Sequence, residues 1–186
     1  RTAGCDRYLL KHETSDPKLY AALHPDSCLE ERVRCLKDIK KAGLETGGGF
    51  MIGLPGQTAA TIADDLLLLR CIPCDMAGIG PFLPHPDTPL GTQPHGSAML
   101  TLRAVALARL LLPHANLPVT TALGVLDRAA ADRVYESGGN VVMRKVTPSR
   151  LRKLYQIYPA EFSETTIAEG RRQLEEELRN RGKTPV

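Results

Sequence analysis

Segments that read as buried strands alternate with segments that read as amphipathic helices along this 186-residue chain, and that alternation limits the possible folds more than any other feature. Arg7 to Thr14 (RYLLKHET) is an apolar run with a polar end, suited to a buried strand whose C-terminal end carries chemistry. Asp16-Pro17 supplies an N-cap and a proline at the first helical position, which predicts a short helix through Leu23. Ser27-x-x-Glu30 reads as a capping box opening a second helix, with Val33, Leu36 and Ile39 on one face and Gly43 as its stop. Thr46 to Gly53 (TGGGFMIG) is the next strand, Leu54 to Gln57 a turn, and Thr58 caps a leucine-rich helix to about Arg70. Asp75 to Phe82 is a third strand, and a proline-rich loop leads through Ser97 to a helix over Met99 to Leu112. Leu117 to Leu123 is a fourth strand, Asp127 starts a helix ending at Gly138-Gly139, and Asn140 to Met143 is a fifth strand. A helix rich in Glu and Arg, from about Ser163 to Arg181, is expected on the outside.

Repeated strand-helix units with buried strands make a parallel sheet, and the lack of a Gly-rich dinucleotide fingerprint favours a (β/α) barrel over a doubly wound sheet. The expected fold class is α/β: a partial (β/α)8 TIM-type barrel of about five units in residues 1–161, with a C-terminal helix and tail in 162–186. The chain opens at Arg1 without an initiator methionine and enters an apolar segment at once, so it reads as a piece of a longer chain with roughly three further units upstream. Function in such a barrel belongs at the C-terminal ends of the strands, here Lys11 to Thr14, Met51 to Gly56, Gly80 to His85, Thr120, Thr121 and from Met143 onward.

Composition narrows the class. At 42% apolar and 24% charged residues the chain is neither collagenous, coiled-coil nor disordered, and no apolar run approaches the ~20 residues that span a bilayer. A net charge of +3 is too small to demand a nucleic acid or an anionic membrane as partner. The basic run Arg144, Lys145, Arg150, Arg152 and Lys153 has no aromatic platforms and reads as a solvated segment. Five cysteines without a signal sequence favour a reducing compartment, with the cytoplasm as the default. Cys71-x-x-Cys74 lacks two further zinc ligands at suitable spacing, and His85-x-Asp87 with His95 lies among prolines; buried thiols and a structural loop are the expectations, and no metal site is assigned.

In order and spacing, RYLLKHET, LHPD, TGGGFMIGLPGQT, DMAGIGPFLPHPDTPL, LPVTTALG, NVVM and TPS…LYQIYP resemble the radical S-adenosylmethionine superfamily, and within it the FeFe-hydrogenase maturases of the HydE type. Biotin synthase and methylornithine synthase are close relatives of that type. The likeness runs from Arg7 to about Pro159 and is strongest around Gly53 and Gly80. It implies a full (β/α)8 barrel of which this chain looks like strands four to eight. It also implies two cofactors, S-adenosylmethionine and a 4Fe-4S cluster whose CxxxCxxC ligands belong upstream, so that the chain alone is expected to be inactive.

The resemblance also assigns residues. S-adenosylmethionine presents a carboxylate, an amine, a sulfonium, a ribose diol and an adenine. Glu13 can accept hydrogen bonds from a ribose or an amine, and Arg32 can pair bidentately with a carboxylate; the family uses both positions on the cofactor. Without the resemblance, Glu13 reads as the partner of Lys11 and Arg32 as part of a solvated helix face. Met51 and Met76 suit the sulfonium and adenine, or else are barrel core, and the Gly-rich strand resembles the superfamily's adenine-binding strand. Toward the substrate, Arg7, Lys11, His12, Thr120, Thr121, Met143, Tyr155 and Tyr158 match barrel-lining positions, with His12 read as a packed strand-end residue rather than a catalyst. Lys11 stands where the family usually has arginine, and an ammonium cannot reproduce a planar fork.

The function implied is that of an enzyme in which a reduced cluster cleaves S-adenosylmethionine to a 5′-deoxyadenosyl radical during assembly of the hydrogenase active-site cofactor. The implied partners are a small-molecule or iron-complex substrate and other hydrogenase maturation proteins, with neither nucleic acid nor membrane. A biotin-synthase-like or methylornithine-synthase-like reaction on an organic substrate is the alternative within the enzyme class. A cluster-free scaffold or partner-binding derivative is the alternative outside it.

Overall fold

The computed structural model describes residues 1–143, 146–152, 154, 157–158 and 165–185. Three strands, β1 (Arg7–Leu9), β2 (Glu45–Ile52) and β3 (Met76–Pro81), pair in parallel in that order. Strands β4 (Pro118–Val119) and β5 (Val141–Val142) form a second parallel pair. A parallel bridge from Met76 to Asn116 carries the order on from β3 toward β4. Spatial order therefore follows chain order without the reversal of a doubly wound sheet, and the chain folds as an arc of a (β/α) barrel.

Helices α1 (Pro17–Leu23), α2 (Leu29–Lys41), α3 (Ala59–Cys71), α4 (Ala98–Leu111), α5 (Thr121–Leu126) and α6 (Arg128–Arg133) connect these strands within a compact unit, Arg1–Val142. A second unit, Met143–Val186, contains α7 (Ser149–Arg152) and α8 (Ile167–Asn180). Helix α8 buries none of its residues; it is closed by a Thr166–Glu169 capping box and by Arg171–Glu175 and Arg179–Glu175 pairs. No helix among the described residues is long and apolar enough to cross a membrane.

Most boundaries follow local chemistry. The Asp16 carboxylate accepts the N–H groups of Lys18 and Leu19, with Pro17 beginning α1. Thr58 and Thr61 close a reciprocal capping box on α3, and the Ser97 side chain caps α4. Several local expectations fail. The strand expected to be buried over Arg7 to Thr14 is only Arg7–Leu9, with all three residues exposed, and Cys71, expected as a buried thiol, is exposed. Cys28, not Ser27, is the N-cap of α2 and makes no side-chain bond, because the Ser27 hydroxyl is engaged 3.1 Å from the Tyr20 hydroxyl. The strand expected over Leu117 to Leu123 is only Pro118–Val119, because Thr120 accepts the Leu123 N–H and starts α5.

The two faces of the sheet differ sharply. Phe50, Ile52, Ala77 and Ile79 point outward into a core shared with Leu36 of α2, Leu66 and Leu69 of α3, and Leu102 and Val105 of α4. Burial of one such leucine contributes about 1.5–3 kcal/mol. The opposite face alternates with it and carries Gly47, Gly49 and Met51 on β2, in register with Met76, Gly78 and Gly80 on β3. Since the helices cover the outward face, this glycine-rich surface lines the inside of the barrel arc.

Candidate functional site

Four of the six paired inner positions of β2 and β3 are glycines; Leu9 of β1 lies over Gly47, and Lys11, two residues beyond β1, occupies space further along. The Lys11 side chain reaches across β2 to lie over Gly78, its Cε 3.8 Å from where a Cβ there would be. At Gly49 a Cβ would collide with the Gly78 carbonyl, so the close approach of the two strands there requires that Gly49 lack a side chain.

Beyond Leu9 the first strand bends. His12 and Glu13 both donate their backbone N–H groups to the Gly49 carbonyl, at 3.0 and 3.1 Å, and Met51 donates its own to the Glu13 carbonyl at 3.1 Å. Glu13 adopts φ +67°, a left-handed conformation that costs a non-glycine residue about 1–2 kcal/mol. Through the bend the alternation is kept, so that Lys11 and Glu13 share the inside while His12 and Thr14 are fully buried on the outside.

Lys11 Nζ and Glu13 Oε2 stand 3.3 Å apart, with side chains 28% and 23% exposed. This is the ion pair that the residues alone suggest. It leaves Glu13 Oε2 buried and without a hydrogen-bond donor among the described residues. An unfilled carboxylate acceptor beside a lysine, on a floor of glycines, is a place where a ligand donor can bind.

The backbone of Met51, bound to the Glu13 carbonyl, is also fixed by the Gln57 amide, whose Oε1 accepts the Gly53 N–H at 2.7 Å while its Nε2 donates to the Met51 carbonyl at 2.8 Å. Met51 pairs across the sheet with Gly80, and Gly80 is covered by Thr120, whose Oγ1 lies 2.6 Å from the position of a Cβ. Glu13, Met51, Gly80 and Thr120 thus form one row across successive strands at their C-terminal ends.

Other expected residues lie elsewhere. Arg32 sits half-buried in the first turn of α2, where its Nε donates to the Tyr20 hydroxyl at 3.0 Å and its guanidinium carbon is 6.0 Å from the Tyr20 ring centroid. No carboxylate pairs with it among the described residues, so its terminal fork remains available. Arg7 begins β1 at the opposite end of the strands and pairs with Glu45 at 2.8 Å. Met76 shares the inner face but lies at the start of β3, and Thr121 is exposed in the first turn of α5. Met143 and Tyr158 belong to the second unit, and Tyr155 lies outside the described residues.

His12, expected among the lining positions and read as a packed strand-end residue, is packed outward. Its Nε2 approaches Asp65 Oδ1 of α3 at 3.2 Å and its ring centroid lies 5.9 Å from that of Phe50. Asp65 and Gln57 escaped the sequence reading; the only signals were a charged residue within a leucine-rich helix and a glutamine closing the turn that follows a strand end.

At the N-terminal ends of the strands lies a cavity of about 550 Å³ lined by Arg7, Lys40, Glu45, Arg70, Cys74 and Asp75, among others. Its charges are largely spoken for, since Lys40 binds Asp75 at 2.7 Å as Arg7 binds Glu45. Burial pushes the Cys74 thiol up to about 11, against a smaller opposing pull from Lys40. For Asp75 burial acts upward as well, but the bonds from Lys40 and the Thr46 N–H outweigh it and hold the carboxyl below its usual range. His85 Nδ1 accepts the Asp87 N–H at 3.2 Å, a turn contact in the proline-rich loop. Among the described residues no group of three or more His, Cys, Asp or Glu is arranged to hold a metal ion.

No protein-family profile matches the chain. Over 162 residues it is 50% identical to the [FeFe] hydrogenase maturase subunit HydE of Thermotoga maritima, an alignment covering 87% of this chain and 47% of that protein. It is 36% identical over 117 residues to the biotin synthase of Desulforudis audaxviator, covering 61% of this chain and 34% of that enzyme. The chain therefore spans between about a third and a half of the length of these curated relatives. Its fold superposes on the crystal structure of methylornithine synthase with a TM-score of 0.78, covering all of this chain and 54% of that one at 21% identity.

Proposed function

We propose that this HydE-like chain of the radical S-adenosylmethionine kind builds the cofactor-holding wall of an enzyme that works in assembly of the FeFe-hydrogenase active-site cofactor. The observation that carries the reading is the buried Glu13 Oε2 without a hydrogen-bond donor among the described residues, at a strand end of a chain that is 50% identical to HydE over 162 residues. The residues present suit S-adenosylmethionine. Glu13 would accept hydrogen bonds from its ribose or amine, and the free fork of Arg32 would pair with its carboxylate. Met51 would give apolar, polarizable cover, and the inward-facing Gly49 and Gly78, which carry no side chains, would let a flat ring approach the backbone.

When bound, S-adenosylmethionine supplies radical chemistry through reductive cleavage of its carbon–sulfur bond. The 4Fe-4S cluster of such enzymes does not fit here. The five cysteines (5, 28, 35, 71 and 74) lack the CxxxCxxC spacing, and no ligand group is formed among the described residues. This chain's own contribution is orientation, exclusion of water and charge. Lys11 presents an ammonium to the inside of the barrel, suited to a small anionic molecule or an iron complex bearing cyanide and carbonyl ligands. The setting proposed is the cytoplasm, alongside other hydrogenase maturation proteins and away from nucleic acid and membrane.

The higher identity to HydE favours hydrogenase maturation over a biotin-synthase-like reaction. The test is to assay the full-length protein that carries this chain for calorimetric binding of S-adenosylmethionine and for restoration of activity to a hydrogenase made without its maturase. Binding and restoration are expected. Absence of binding points to a cluster-free scaffold, and binding without restoration points to an organic substrate.

A further inference from the structure

A carboxylate placed in an apolar helix-to-sheet interface is expensive to desolvate, and Asp65 is wholly buried on the leucine-rich face of α3. Its position relative to the proposed site gives it a use. Oδ1 accepts the backbone N–H of Ser15 and also stands 3.2 Å from Nε2 of His12. Those two anchor points straddle Glu13, the one non-glycine residue with positive φ among the described residues. His12 and Thr14, the immediate neighbours of Glu13, are themselves completely buried on the Asp65 side. The Asp65 carboxylate is thus hydrogen-bonded to the backbone just after the bend and in close contact with the His12 ring just before it, where Nε2 is near but makes no aligned hydrogen bond.

We propose that Asp65 is a positioning residue, acting through His12 and the Ser15 backbone to hold the Glu13 carboxylate in its ligand-facing conformation. The proposal rests on the reading of Glu13 as a contact to S-adenosylmethionine. Asp65 reaches neither the ligand nor the inside of the barrel. Loss of these contacts lets residues 12–15 leave the left-handed turn at Glu13, which changes the direction in which its carboxylate is aimed relative to Lys11 and Met51. Met51 follows, because its backbone N–H is bound to the Glu13 carbonyl. Outer-layer partners of this kind typically contribute 10–100-fold to affinity at the sites they support.

The test is a double-mutant cycle on the full-length holoprotein, with S-adenosylmethionine affinity read by calorimetry and folding read by thermal melting. Asp65→Asn is nearly isosteric and should weaken binding about tenfold in the otherwise unchanged protein. In a Glu13→Gln background the same change should add less than about twofold, because the two residues act as one unit. Additive losses would overturn the positioning role and leave Asp65 a folding determinant. A lowered melting temperature with unchanged affinity would do the same. Should Asp65→Asn not fold, His12→Gln enters the cycle with the same expectation and the same overturning result. If Glu13→Gln alone leaves affinity unchanged, the site itself is misread and the role of Asp65 falls with it. That outcome differs from a weakened Glu13→Gln without coupling, which overturns Asp65 only.

Discussion

Lys11 Nζ stands 3.3 Å from Glu13 Oε2, two positions along one strand end, and that oxygen still receives no hydrogen bond. The lysine balances charge without using up the acceptor. Proximity without alignment leaves the acceptor open to a ligand donor.

Glu13→Gln should therefore weaken S-adenosylmethionine binding by about 1.5–3 kcal/mol, the worth of a hydrogen bond to a charged group. Calorimetric titration of the full-length protein checks it. Lys11→Met should change unfolding free energy by less than about 1 kcal/mol, since partly exposed pairs contribute little.

Gly80→Ala should destabilise the chain by about 1–3 kcal/mol, as overpacking does. The new Cβ meets Thr120 Oγ1 at 2.6 Å and its Cβ at 3.1 Å. Thr120→Ala removes the nearer atom and should restore part of the loss, although it also removes the cap of α5. Urea unfolding of the two single variants and the double variant reads this, and strict additivity would show that no collision occurs.

Acid should loosen the N-terminal ends of the strands. The Asp75 carboxyl titrates below its ordinary 3.8, with burial opposing and the Lys40 and Thr46 bonds prevailing. A depressed folded-state value means a stabilisation present above the unfolded value and lost as pH falls through the folded one. The stability difference between the wild-type chain and Asp75→Asn should thus be constant near neutrality and shrink below about pH 4. A difference that persisted unchanged to pH 2 would exclude the Lys40–Asp75 contact as its source.

Cys74 should resist alkylation. Burial moves its thiol up to about 11, so little thiolate forms at pH 8, whereas Cys28, Cys35 and Cys71 are exposed. Timed iodoacetamide labelling read by mass spectrometry should modify those three first and Cys74 only after unfolding.

The order of strands and helices was legible because capping residues and stop glycines act locally. Asp16-Pro17, Thr58, Ser97 and Gly43 each do what their chemistry suggests. At α2 and α5, where the sequence misled, a side-chain hydroxyl had found another partner. Ser27 could not cap α2 because Tyr20, seven residues earlier, claims its hydroxyl. The β-branched run around Thr120 looked like strand, yet its hydroxyl found a better use at the start of a helix.

The site was legible in part. Glu13, Met51, Lys11 and Thr120 come together at the strand ends, whereas Arg7 was grouped with them although it begins the same strand and so must lie at the far end. Strict alternation separates His12 from Lys11 and Glu13, and that much could have been read directly. What no local pattern reveals is the pairing of Gly49 with Gly78, which makes room for Lys11, or the reach of Asp65 from a helix fifty residues onward.

The left-handed backbone at Glu13 has an evolutionary consequence. Glycine is the residue most at ease in that geometry, and a screen for thermostable variants of this chain should recover Glu13→Gly readily. Such a variant would be hardier and, on the reading offered above, empty-handed toward its nucleoside. A carboxylate held where the backbone would welcome hydrogen exchanges, on that reading, durability for chemistry.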